Sequence, residues 1–122
     1  MALALKSLAA VRIFVDDLDR ARHFYRDVLE LRETVTEQAW SVFDLGGKDV
    51  VVEAVAAEAP EHDELVGRFL AVSFEVDDVE TAYRELMAKG VRFEQPPEKQ
   101  VWGGTLAFPR DPDGNVLTLV SS

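Results

Sequence analysis

The sequence predicts an α+β fold made of two tandem βαβββ modules. The main observation is an internal repeat, since Leu8–Ala21 and Phe69–Ala82 align without a gap at a distance of 61 residues, half of the 122-residue chain. Each copy also reads as an alternating strand that runs directly into a helical pattern. Finally, a composition of 48% hydrophobic and 30% charged residues is ordinary for one soluble globular domain.

Composition excludes several classes of function. The chain has no cysteine, so disulfides, thiolate catalysis and thiolate metal sites are excluded. Its net charge of −10 argues against a nucleic-acid partner, because phosphate binding needs a basic surface. No apolar run approaches transmembrane length, and the start MALALKSLAAV, with Lys6 inside it, does not read as a signal peptide. We therefore expect a cytoplasmic protein without a membrane partner.

The first module begins with a predicted strand at Ser7–Val15. One side of this strand is uniformly apolar and should pack under a helix, while the other side mixes apolar groups with Arg12 and should face a cavity. Asp16 and Asp17 stop the strand and offer an N-cap to a helix that runs to about Leu31. Three further strands complete the module, with a Gly-Gly hairpin turn after the second of them: Arg32–Glu37, Trp40–Leu45 and Val50–Ala56.

The second module repeats this plan after an acidic linker. Its strand Phe69–Val76 leads into the helix Val79–Lys89, for which Asp77 and Glu80 resemble a capping box. Pro96-Pro97 and the tight turn at 111–114 separate the remaining strands, which are Val91–Gln95, Val101–Phe108 and Val116–Val120. The predicted organisation is one domain over 1–122, with modules at about 7–56 and 68–122 and a linker at 57–67.

Three segments resemble a known superfamily. They are VDDLDRARHFYRDVLEL at Val15–Leu31, VDDVETAYRELMAKGV at Val76–Val91 and FPRDPDGNVLTLV at Phe108–Val120. With them the chain resembles the vicinal oxygen chelate proteins, which include glyoxalase I, extradiol dioxygenases and the fosfomycin- and bleomycin-resistance proteins. The resemblance implies two modules whose curled, largely antiparallel sheets surround a cleft. It also implies a homodimer, because many members share their clefts between chains.

The resemblance also identifies the positions that hold a metal in the metal-dependent members. His, Gln or Glu ligands project there from the first and last strands of each module. In this chain the positions fall on Ala10, Glu53, Ala71 and Thr118. Only Glu53 is a credible ligand, whereas a functional site needs about three. His23 and His62 lie elsewhere and are expected to be solvated or locally hydrogen-bonded, so we expect neither a metal nor another cofactor.

Without a metal, the cleft-facing side chains suggest a pocket for an organic ligand. Strand alternation does not decide whether Trp40 or Phe43 points inward, and the aromatic side chains could serve either core packing or ligand stacking. Arg12 and Glu53 could form a cross-strand ion pair or present both charges to a ligand. The residues expected to bind the ligand are Arg12, Phe14, Trp40, Phe43, Glu53, Ser73, Trp102, Phe108 and Thr118.

Three functions are compatible with these features. The first hypothesis is a metal-independent binding protein, nearest in character to the bleomycin-resistance branch, that sequesters a planar or cationic antibiotic-like molecule. The alternative is a lyase, isomerase or dioxygenase of the same superfamily with an atypical or metal-free site, in which Glu53 or Glu75 moves a proton. A third possibility is an interaction module whose cleft is filled by its own side chains.

Overall fold

A computed structural model describes residues 3–122; Met1 and Ala2, which the predicted domain 1–122 includes, lie outside the described residues. The strands are β1 Ala10–Val15, β2 Arg32–Thr36, β3 Trp40–Leu45, β4 Lys48–Ala54, β5 Phe69–Glu75, β6 Arg92–Phe93, β7 Glu98–Lys99, β8 Thr105–Ala107, β9 Pro109–Arg110 and β10 Val116–Ser121. The helices are α1 Leu18–Arg22, the π-helix His23–Val28 that continues it, α2 His62–Leu65 and α3 Val79–Ala88. No helix within residues 3–122 is long and apolar enough to cross a membrane.

The strands form two curled sheets, and the predicted α+β class is confirmed. In the first sheet the strand order is β1-β4-β3-β2. In the second sheet β10 lies between β5 on one side and β8 with β9 on the other. At the edges of this sheet β7 pairs with β8, and β6 pairs with β9. Neighbouring strands are antiparallel except for two pairs, β1 with β4 and β5 with β10, which are parallel.

Alternation along the strands decides which face of each sheet is buried. Ile13 and Val15 of β1 are fully buried, whereas Arg12 is exposed on the opposite face. Leu117 and Leu119 of β10 belong to the core, and Thr118 between them is also buried although it lies on the other face. The buried apolar side chains belong to one hydrophobic cluster with residues from both modules, so the helix-covered faces of the two sheets share a core. The other face of each sheet, called here its outer face, is not covered by a helix within residues 3–122.

The helix ends differ from the predictions in detail. Asp17 caps α1, its carboxylate accepting a hydrogen bond from the Arg20 backbone N–H at 3.1 Å, as predicted. The second cap is Asp78, not Asp77, because α3 begins at Val79 and the cap is the residue directly before it. After α1 the helix widens into the π-helix and ends at Val28 rather than near Leu31, since its last turns bond five residues back instead of four.

The linker and the second module also differ from the predictions. The predicted linker at 57–67 contains the short helix α2. The predicted strand Val101–Phe108 is wrong in its first half, because residues 100–103 form a tight turn in which the Gly103 N–H donates to the Gln100 carbonyl at 3.0 Å. The strand therefore begins at β8. The predicted strand Val91–Gln95 shortens to β6, and β7 was not predicted.

The turn at Asp111–Asn115 holds the two modules together. Asn115 is fully buried, and its side-chain oxygen accepts from the backbone N–H groups of Gly67 and Arg68 at 2.8 and 3.2 Å. Its Nδ2 group donates to the Phe14 carbonyl of β1 at 2.9 Å and to Asp111 Oδ2 at 2.9 Å. The Tyr25 hydroxyl donates to the same Asp111 oxygen at 2.7 Å. One turn of the second module thus satisfies polar groups of β1, the π-helix and the start of β5.

A charged cluster lies beside this turn. The Asp113 side chain is fully buried, and its Oδ1 accepts from the Asp16 backbone N–H at 3.1 Å and from Arg20 Nη2 at 3.0 Å. Its Oδ2 has no hydrogen-bond partner within residues 3–122. Burial, together with the adjacent Asp16 carboxylate, raises the pKa of Asp113 to about 6. His62 of α2 contacts Asp63 and Asp16, and these carboxylates raise the pKa of its imidazole.

We predict that Asn115→Ala destabilises the fold severely. The substitution removes the partner of the Gly67 N–H and the side-chain donor to the Phe14 carbonyl, and it takes one of the donors from Asp111. Each polar group left unpaired costs about 1–3 kcal/mol. The free energy of unfolding, measured by urea denaturation, should fall by about 3–5 kcal/mol. The matched control is Gln95→Ala, which removes an exposed amide and should change the free energy of unfolding by less than about 0.5 kcal/mol. A loss below about 1 kcal/mol for Asn115→Ala would show that the turn does not join the modules.

We also predict that stability falls as the pH is raised from about 5 to about 7. The pKa values of Asp113 and His62 are both raised in the folded state, so both groups hold their protons more tightly there and lose this stabilisation as they deprotonate. For Asp113 the contribution is about 1–3 kcal/mol. Urea denaturation at pH 5, 6 and 7 measures the slope. Asp113→Asn should flatten it, whereas the exposed control Asp49→Asn should keep it; equal slopes for all three proteins would contradict the assignment.

Candidate ligand-binding site

The outer face of the first sheet brings together four of the residues expected to bind a ligand. Arg12 and Phe14 alternate with buried residues along β1 and therefore share this face. The strand register pairs Glu53 of β4 with Phe14 on one side and with Trp40 of β3 on the other. Trp40 is 43% exposed, so its indole is accessible to a ligand. The result is a surface of two aromatic rings with one cation and one anion.

Arg12 and Glu53 form a bidentate ion pair across these strands. Arg12 Nε lies 2.6 Å from Glu53 Oε2, and Arg12 Nη2 lies 3.1 Å from Oε1. The hydrogen bonds that Arg12 donates to Glu53 raise the pKa of the Arg12 guanidinium, whose central carbon lies 5.1 Å from the centre of the Phe14 ring. Of the two interpretations of these residues, the structure contains the ion pair. The pair is neutral overall, and its guanidinium extends the aromatic surface of Phe14.

The outer face of the second sheet carries a separate cavity of about 330 Å³. Phe69 and Phe108 form its aromatic wall, with ring centres 6.2 Å apart and planes inclined at 52°. Arg110 and Glu94 also line it and form an ion pair, and Arg110 Nη1 donates to the Gly114 carbonyl at 3.1 Å. Each outer face therefore combines phenylalanine rings with one internally paired Arg–Glu couple. All described residues around this cavity belong to the second module, so the cavity does not reach Arg12 or Trp40.

Ser73 and Thr118 lie side by side in the second sheet. They are partners in the register of β5 and β10, with Ser73 exposed and Thr118 only 4% exposed. The pairing shifts just before them, where four residues of β5 span two of β10 and Ala71 has a φ of 54°. No residue type in β5 indicated this bulge, because an alanine carries no preference for the left-handed region.

Two expected ligand-binding residues are placed differently by the structure. Phe43 is fully buried in the core, with its ring centre 6.1 Å from that of Tyr25, so its assignment to the cleft is corrected. The pairing of β3 with β4 puts Phe43 beside buried Val50 and Trp40 beside Glu53, which answers the question that alternation left open. Trp102 lies in the turn before β8 and is 62% exposed.

Gly104, near Trp102, does not leave room for a ligand over its backbone. A Cβ atom at Gly104 would lie 1.9 Å from the Trp102 ring, so the indole itself occupies the space over the Gly104 backbone. Any residue larger than glycine at position 104 would therefore collide with the Trp102 ring. A flat exposed indole remains available on its other side, and its part in ligand binding stays a prediction.

The two carboxylates of the alternative enzymatic hypothesis are not brought together. Glu53 is held by Arg12 on the outer face of the first sheet. Glu75, at the end of β5, lines a different cavity between the two modules. Within residues 3–122 the two side chains share no hydrogen bond or common partner, so the structure offers no carboxylate pair for acid–base chemistry at this site.

The four positions at which the resemblance implies metal ligands do not fit a metal here. Ala10 and Ala71 have no donor atom, and the Glu53 carboxylate already accepts two hydrogen bonds from Arg12. In the part of the chain that the structure describes, no three His, Asp or Glu side chains are arranged to bind a metal ion. His23 is locally bonded, as expected, and contacts Asp27 at 3.0 Å. His62 contacts its neighbour Asp63 at 3.1 Å and also the distant Asp16 at 3.2 Å.

Sequence reasoning missed the polar residues of the second outer face. Glu94, Gln95 and Arg110 line its cavity, and Arg110 reaches it because β9 pairs with both β6 and β10. The signal was weak, since the three residues lie in two-residue strands or beside them. The opposite charges of Glu94 and Arg110, which lie 16 positions apart on either side of β8, were the only indication in the sequence that these two residues pair.

Known proteins resemble this chain in sequence over nearly its whole length. A model of the Glyoxalase/Bleomycin resistance protein/Dioxygenase superfamily matches residues 7–119. The chain is 30% identical to the uncharacterized protein YraH of Bacillus subtilis (strain 168), over 92% of this chain and 95% of that protein. It is also 30% identical to a segment of the dihydroxy-acid dehydratase of Thermus thermophilus, over 98% of this chain but only 22% of that protein's length.

A solved structure agrees with this family match. The superfamily member from Sphaerobacter thermophilus DSM 20745 superimposes with a TM-score of 0.80 and 25% identity, covering 98% of this chain and 100% of that one. The match to the family model spans nearly the whole chain and both repeats. The chain therefore belongs to the Glyoxalase/Bleomycin resistance protein/Dioxygenase superfamily.

Proposed function

We propose that this protein is a metal-independent binding protein that sequesters a planar or cationic organic molecule on the outer face of its first sheet. The observation that carries the proposal is the Arg12–Glu53 pair. Glu53 is the one carboxylate among the four positions that bind metal in related proteins, and Arg12 holds both of its oxygens. The side chain that elsewhere would coordinate a metal here fixes an arginine above Phe14.

This surface suits a flat ligand. The ring of Trp40 and the guanidinium of Arg12, which lies over the Phe14 ring, offer two faces on which a conjugated ring system can stack. Each aromatic contact is worth about 0.5–1.5 kcal/mol beyond simple burial. A cationic group on the ligand gains further from the net charge of −10, which raises the local concentration of cations and speeds association.

The outer faces also support a homodimer, which we propose for the functional protein. Trp40 and Phe69 are 43% and 54% exposed, one on each sheet, and such aromatic side chains are typical of interfaces. Because the cavity on the second sheet is lined by the second module alone among the described residues, a second copy is what would enclose a ligand between two outer faces. The proposed compartment is the cytoplasm.

We predict that Trp40, and not a metal, is required for ligand binding. A panel of aromatic and cationic antibiotics is screened by quenching of tryptophan fluorescence. Two variants retain one tryptophan each: Trp40→Phe keeps Trp102, and Trp102→Phe keeps Trp40. A compound that stacks on the outer face should quench the Trp102→Phe variant, which retains Trp40, and binding should weaken about fivefold to tenfold in Trp40→Ala. Dialysis against a chelator should leave the affinity unchanged.

The control variant for this prediction is Met87→Ala, which removes an exposed side chain from α3. It should bind the same compounds with unchanged affinity. Mass spectrometry of the recovered compound is the second readout. Equal binding by Trp40→Ala and the unchanged protein would reject the site, while recovery of a chemically altered compound would favour the superfamily enzyme, with Glu53→Gln and Glu75→Gln as the next variants.

We predict a dimer in solution. Light scattering at micromolar concentration should give about twice the monomer mass of 13.6 kDa. Phe69→Glu places a charge on the exposed outer face of the second sheet and should shift the mass toward that of a monomer, while Met87→Glu on α3 should not. A monomer mass for the unchanged protein would contradict the proposal directly.

A further inference from the structure

A second cavity lies between the modules on the helix-covered side of the sheets. It has a volume of about 230 Å³ and is distinct from the outer faces. Tyr25, Leu86 and Leu119, all buried, line it together with the partly exposed Phe74 and Leu45. The proposed outer-face ligand does not use any of these residues. The cavity is therefore an independent apolar space, and its residues come from the π-helix, α3 and both sheets.

The backbone along one wall of this cavity is irregular. The Leu29 N–H donates to the Phe24 carbonyl at 2.9 Å, a π-helical bond, and the Leu31 N–H donates to the Tyr25 carbonyl at 3.0 Å. Between them Glu30 has a φ of 61°, a left-handed conformation that a residue with a long side chain adopts at an energetic cost. Leu29, Glu30 and Leu31 all line the cavity. Such irregular backbone collects at functional sites, and here it faces the empty space.

The rim of the cavity is acidic. Among the described residues, Glu30, Glu75 and Glu85 line it together with one cation, Lys89. Lys89 Nζ donates to the Val28 carbonyl at 3.2 Å and lies 4.0 Å from Glu30 Oε2, so its charge is already engaged. Glu75 and Glu85 form no ion pair within residues 3–122. The rim thus carries two uncompensated negative charges above an apolar interior.

From this arrangement we propose that the cavity between the modules binds a small amphipathic amine, an apolar chain or ring bearing one ammonium group. The apolar part would lie against Leu86, Leu119 and Phe74, and the ammonium group at the rim beside Glu75 and Glu85. The volume is below the roughly 300–1,000 Å³ typical of sites for drug-sized molecules, so the ligand is a small one.

The negative charge of the rim argues against a second copy of the chain as the occupant of this cavity. A symmetric contact at this surface would place Glu30, Glu75 and Glu85 of one copy against the same residues of another. Like charges facing one another across an interface are unfavourable. A single cationic group, in contrast, relieves the repulsion at the rim.

The test compares three probes with the same alkyl chain: hexylamine, hexanol and hexanoic acid at pH 7. Binding is followed by NMR shifts of the Leu86 and Leu119 methyl groups in the complete protein. Hexylamine should bind more tightly than hexanol and at least about fivefold more tightly than hexanoate. Glu75→Gln and Glu85→Gln should each weaken hexylamine binding about twofold to fivefold. Equal affinity for the amine and the acid would overturn the proposal.

Three further variants separate this site from the outer faces. Ala82→Leu places a larger side chain on α3 inside the cavity and should abolish the methyl shifts, because leucine fills the space that the hexyl chain needs. Trp40→Ala, on the outer face, and Glu98→Gln, on β7, should bind hexylamine as the unchanged protein does. Loss of binding in Trp40→Ala with retention in Ala82→Leu would assign the amine to the outer face and reject the cavity.

Discussion

The polar network of Asp111 and Asn115 is the constraint on which the rest of the structure depends. A single buried turn satisfies the Phe14 carbonyl of β1, the Tyr25 hydroxyl and the backbone N–H of Gly67. Buried polar groups are costly when unpaired, so the network fixes how the second module sits against the first. The shared hydrophobic core follows from this arrangement, because the turn holds the helix-covered faces of both sheets against each other.

This packing leaves the outer faces and the space between the modules for function. On the outer faces the charges are internally paired, Arg12 with Glu53 and Arg110 with Glu94, and the rings beside them supply the binding surface. Between the modules the apolar side chains are left partly exposed beneath uncompensated carboxylates. The first arrangement suits stacking of a flat molecule, and the second suits an amine, so the two proposed sites differ in chemistry as well as in place.

The repeat and the alternation of apolar residues predicted the α+β class, while the curling of the sheets was implied by the family resemblance. Ile13 and Val15 were assigned correctly to the buried side of β1, and Arg12 and Glu53 to one outer face. What the sequence could not show depends on strand register and side-chain packing, which the pattern within one strand does not encode. Phe43 is buried because of the register of β3 with β4, and the Trp102 turn arises from its packing on Gly104.

The central claim is that the Glu53 carboxylate serves an arginine and not a metal. Its most direct test is an NMR titration that follows the Arg12 Nε–H and Trp40 indole signals, first with a panel compound that binds and then with Mn²⁺, whose paramagnetism broadens nearby signals. The account predicts that the compound shifts both signals without added metal and that stoichiometric Mn²⁺ leaves them sharp. Broadening centred on Arg12 at one equivalent of Mn²⁺, with the compound binding only afterwards, would contradict it.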